Sequence, residues 1–158
     1  MTAASVVEIK KELKHRDPEE LLQLCLRLAR FKKENKELLT YLLFESDSEA
    51  GYIETVKAEI DAQFASINTA SYFYIKKSVR KILRTIKKHI RYSGNKETEV
   101  ALLIYFCETL RDFNPSIKRN PTLMNLYERQ LVFIAKKIEA MHEDLQYDYG
   151  VLLNELKY

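Results

Sequence analysis

Apolar residues recur along this chain at steps of three and four, the spacing that lines up one side of an α-helix. Val6, Ile9 and Leu13 predict a short first helix over about residues 4–14. Asp17-Pro18-Glu19-Glu20 then reads as a stop and restart. Asp17 can accept from free backbone N–H groups, Pro18 suits a first helical position that needs no N–H, and two glutamates favour the positive end of the dipole. The second helix should run to about Lys33, and it is so nearly apolar all round that it is expected to lie between neighbours. Leu38, Leu39, Leu42 and Leu43 give a third, ending near Glu45.

Ser46-Asp47-Ser48 supplies capping oxygens for a fourth helix, carried by Ile53, Val56, Ile60, Phe64 and Ile67. The fifth has a regular stripe of Ile75, Val79, Ile82, Leu83, Ile86 and Ile90, and Ser93-Gly94 ends it. Val100 to Cys107 is an unbroken apolar octet that periodicity alone would also allow as a buried strand. The flanking Glu97, Glu99, Glu108 and Leu110, and the lack of a strand partner, favour a sixth helix over about residues 96–112. Asn114-Pro115 opens a loop and Asn120-Pro121 repeats the cap-and-proline start. A long seventh helix should then carry Tyr127, Leu131, Ile134, Ile138, Met141 and Leu145, with Gly150 separating a last turn over 151–157. Tyr147 and Tyr149 are expected to anchor that turn to the seventh helix.

Short connections pair these segments into three antiparallel hairpins starting near residues 18, 49 and 96, with a short helix at each end. Offsets of 31 and 47 residues bracket the unit length of two-helix solenoids. Asp17-Pro18-Glu19-Glu20-Leu21-Leu22, followed by a second leucine-rich helix, resembles a HEAT-like repeat over about a quarter of the chain. The stretch from Leu13 to Phe44, with Lys-Glu-Asn-Lys-Glu-Leu-Leu inside it, is similar to the start of small bacterial helical domains of unknown function. These resemblances imply a fold class and no activity. The expectation is one all-α domain over residues 1–158, either a solenoid-like array or a compact helical bundle.

Composition narrows the class further. Of 158 residues 46% are hydrophobic and 31% charged, and six are Gly or Pro, which leaves little turn chemistry for a many-stranded sheet or a glycine-rich phosphate loop. The longest uncharged run, Ala62 to Ile75, is 14 residues with five polar ones inside, too short and polar to span a bilayer. The charged N-terminus argues against a secretory signal, so a cytoplasmic protein is expected. Cys25 and Cys107 match no metal or redox spacing and read as buried reduced thiols.

Charge is distributed unevenly. Between Ala62 and Lys96 there is no acidic residue, while Lys76, Lys77, Arg80, Lys81, Arg84, Lys87, Lys88, Arg91 and Lys96 supply nine cations. Subtracting nine from the chain's +3 leaves −6 for everything else. Lys76, Arg80, Arg84, Lys87, Lys88 and Arg91 thus form a candidate anion-binding or nucleic-acid-binding ridge about 20 Å long over residues 75–92. The alternative is neutralisation within the hairpin. A symmetric turn near Asn68 would set Asp61 opposite Lys76, Glu54 opposite Leu83 and Asp47 opposite His89.

Candidate catalytic chemistry is sparse. Glu12/His15 and Glu139/His142 share the Glu-x-x-His spacing of di-metal bundles, and Glu139 with His142 is the better pair, since His142 borders the Ile138 and Met141 stripe. His89 has no evident carboxylate partner in the sequence, and no activated nucleophile is recognisable. The leading expectation is a non-enzymatic adaptor or scaffold that needs no cofactor and binds protein through its surface. Nonspecific binding of nucleic acid or another polyanion through 75–92 is the first alternative, and a metal-dependent enzyme centred on Glu139 and His142 the second.

Overall fold

The segments predicted to be helical are helical except at the ends of the fourth and seventh, and the chain contains no strand. The computed structural model describes residues 1–158 as eight α-helices: α1 Val6–Leu13, α2 Pro18–Phe31, α3 Lys33–Thr40, α4 Glu49–Ala65, α5 Tyr72–Ser93, α6 Lys96–Arg111, α7 Pro121–Glu139 and α8 Glu143–Glu155. A π-helical turn, Tyr41–Glu45, follows α3, and a 3-10 turn, Ile117–Arg119, precedes α7.

The capping signals act locally, as their chemistry dictates. Asp17 accepts from the Glu20 N–H at 2.8 Å, Asn95 from those of Glu97 and Thr98, and Asn120 from that of Leu123. Each supplies an acceptor to a backbone donor that has no partner inside its own helix. At the end of α5, Gly94 takes φ +68° and donates its N–H to the Ile90 carbonyl at 2.9 Å. That conformation carries no Cβ penalty at glycine.

The helices divide into two compact units, 1–44 and 45–158. In the second unit α6 lies against α4, α5, α7 and α8. This explains the octet: Leu102, Leu103, Ile104, Phe106 and Cys107 face neighbours on every side and are buried. The whole α5 stripe, Ile75 to Ile90, is also buried, with Ile75 and Val79 at 0% exposure. Each such aliphatic side chain contributes on the order of 2 kcal/mol over leaving it in water.

The first unit corrects the expectation that the second helix would be enclosed. α2 packs against α3 and has no buried residue; Leu28 is 60% exposed and Phe31 77%. Cys25 is therefore exposed, whereas Cys107 is buried as expected. An apolar run becomes interior only where partners surround it, and α6 has four where α2 has chiefly one.

The C-terminal boundary also moves. α7 ends at Glu139, and a new helix begins after His142, so Gly150 lies inside α8 and separates nothing. Tyr149 donates to Glu97 on α6 at 2.9 Å, and Tyr147 is exposed, so neither serves the anchoring role on the seventh helix that the sequence suggested. The end of the chain is held instead by Tyr127, fully buried, whose hydroxyl donates to the Leu156 carbonyl.

Candidate functional site

Helix α5 presents two faces because its sequence has two. With its isoleucines and Val79 turned into the second unit, Lys77, Arg80, Arg84, Lys87, Lys88 and Arg91 are exposed and Lys76 is half-buried. Lys76, Arg80, Arg84, Lys87 and Arg91 fall at helical steps of three and four, so they form one row about 22 Å long. All six cations picked out from the sequence lie on this helix, and Lys77 and Lys81 bring its total to eight.

The first turn of α5 strengthens the positive field. Ser71 gives no side-chain cap and there is no acidic residue there, so the positive end of the helix dipole stands uncompensated next to Lys76 and Lys77. Phe73, Lys76, Lys77, Arg80 and Arg84 line a shallow trough of about 300 Å³. Phe73 is 67% exposed at its rim and meets Tyr74 edge to face at 5.4 Å.

The acidic helix α4 does not neutralise this row. Tyr52, not Asp47, meets His89: its hydroxyl donates to the His89 carbonyl at 2.8 Å. The register is thus slid by more than a helical turn from the symmetric one. Glu49 fixes the slide at one end by accepting from Ser93 at 2.9 Å and from Thr98. Glu59 lies 2.9 Å from Nε2 of His89, which corrects the reading of that histidine as lacking a carboxylate partner. Glu54 pairs with Lys57 on its own helix at 3.5 Å, and Asp61 accepts from the Tyr105 hydroxyl on α6 at 2.7 Å, not from Lys76. No carboxylate lies within 4 Å of Lys76, Lys77, Arg80, Arg84, Lys87 or Arg91.

The Glu139/His142 pair loses the geometry that motivated it. Glu139 closes α7, while His142 is the N-cap of α8, accepting from the Asp144 N–H through Nδ1 and standing exposed. The two side chains are not on one helical face. His15 lies exposed beyond the end of α1, and no three His, Cys, Asp or Glu side chains gather in a cluster suited to a metal ion.

Two features were not picked out from the sequence as part of the site. Phe73 stands in the first turn of α5, and its place in the trough follows from its sharing a face with Lys76 and Arg80. The Glu49 staple on Ser93 and Thr98 joins residues 44 and 49 apart, and no local signal announces it. Compared with family models, with curated proteins and with solved structures, the chain matches none. No helix is long and apolar enough to cross a membrane.

Proposed function

We propose that this protein is a non-enzymatic binding module that holds the phosphate backbone of nucleic acid along α5. The observation that carries the reading is the row of five cations with no carboxylate within 4 Å, beside an acidic helix whose carboxylates meet other groups: Glu54 meets Lys57, Glu59 meets His89 and Asp61 meets Tyr105. Phosphate contacts by lysine and arginine carry no base information, so binding is expected to be independent of sequence and steep in salt.

Neutralising about five phosphates of a single strand gives a slope of log K against log salt near −3.5, or a loss of roughly 100-fold between 50 and 200 mM salt. Fluorescence anisotropy with labelled oligonucleotides measures this directly. Arg80→Glu/Arg84→Glu/Lys87→Glu changes exposed positions only and should abolish binding while leaving the helical circular-dichroism spectrum intact. Wild-type protein that leaves DNA and RNA untouched at about 50 mM salt ends the reading.

A second reading, a protein adaptor, is supported by the first unit, where Val6, Leu28, Phe31 and Phe44 are exposed apolar residues. Exposed apolar patches mark interaction sites in folded proteins. A partner of that unit would still be bound by the triple α5 variant, which separates the two readings.

A further inference from the structure

We infer that the nucleic acid held on α5 is single-stranded and that a base stacks on Phe73. The inference rests on the proposal that α5 holds a phosphate backbone, and it names the form of strand. Phe73 shares its face with Lys76, Lys77, Arg80 and Arg84, at steps of three, four, seven and eleven, and all five line the same trough. The buried apolar residues of α5 point the other way; Phe73 is left 67% exposed among cations, and its edge-to-face contact with Tyr74 leaves most of the ring open.

An open aromatic ring at the head of a cationic row is the pairing that single-strand binders use: the row tracks the backbone and the ring takes the flat face of a base. A duplex keeps those faces stacked inside and shows base edges in its grooves, so Phe73 would reach a base face only at the cost of unstacking a step. The uncapped, acid-free first turn of α5 favours a phosphate close to that ring. An anionic membrane would also meet the cations, but interfacial helices bury a continuous apolar face. Here that face is spent on the protein core, from Ile75 at 0% to Ile90 at 7% exposure, which leaves Phe73 and Tyr74 at one end.

The chain contains no tryptophan, so Phe73→Trp installs a single tryptophan at the proposed stacking position, read by exciting at the red edge where its ten tyrosines do not absorb. Titration of this variant with an oligo-dT or oligo-U 12-mer should quench its emission. A duplex of equal charge should bind without comparable quenching, and vesicles containing phosphatidylserine should leave the spectrum unshifted. In anisotropy experiments wild-type protein should prefer the single strand. Phe73→Ala should weaken single-strand binding by about 5- to 100-fold and duplex binding by less than twofold. Because Phe73 is exposed, folding of these variants is checked by an unchanged circular-dichroism melt.

Equal affinity for both forms, or equal loss from both on Phe73→Ala, overturns the inference and leaves the backbone-binding proposal standing. Failure of wild-type protein to bind any oligonucleotide overturns both. A blue shift with vesicles and no response to oligonucleotides replaces them with membrane binding.

Discussion

Cys107 is 0% exposed within α6, and burial pushes its thiol up to about 12, with the neighbouring Glu108 adding to the shift. A thiol so far from its thiolate form is a poor nucleophile. Cys25 stands exposed on α2. In native protein at neutral pH a thiol reagent such as dithionitrobenzoate should therefore react with one cysteine per chain, and with both after denaturation. Cys25→Ser should reduce the native value to none. Prompt reaction of two thiols in the folded protein would contradict the burial of Cys107. The sequence could not separate the two residues, because Leu24-Cys25-Leu26 and Phe106-Cys107 are both apolar surroundings along the chain. Burial is decided by what lies across the helix, and that information resides in residues far away. His89 makes the same point: its Glu59 partner is 30 residues distant and became visible only with the α4–α5 register.

Between elements, the link from α4 to α6 through Asp61 and Tyr105 responds to pH. The Tyr105 hydroxyl donates to the Asp61 carboxylate, and that hydrogen bond, aided by burial and by the negative charge of Asp61, holds the phenol up to about 12. A phenol raised above its ordinary value near 10 stabilises the fold fully below about pH 10 and loses that contribution as pH rises toward 12. Tyr105→Phe should lower Tm slightly near neutrality and flatten the alkaline decline over that interval, as followed by circular-dichroism melts in a pH series. A decline identical to that of wild type would assign the effect to other tyrosines. The helices themselves were legible because caps and apolar stripes are local: Asp17-Pro18, Asn120-Pro121 and the Ile75–Ile90 stripe each carry their own cause. The end of α7 was not, since Met141 and Leu145 continue the apolar period across the break at His142. Nor was the hairpin register, which Tyr52 and Glu49 fix through contacts with His89, Ser93 and Thr98.

For the molecule as a whole, 24 of the 25 buried hydrophobic residues lie in the second unit; Tyr41 is the exception. Stability should follow the core. A fragment of residues 45–158 is expected to keep a cooperative thermal transition and to bind oligonucleotides within about threefold of the full chain, whereas residues 1–44 alone should show weak, non-cooperative helicity. Loss of oligonucleotide binding by a folded fragment would place part of the interface in the first unit. The opposed charges of residues 62–96 and the remainder, +9 against −6, have an effect that the small total conceals. If α5 holds a polyanion as proposed, the separation of charge within the second unit, +9 over residues 62–96 against −8 over its other residues, would turn α5 toward that polyanion on approach.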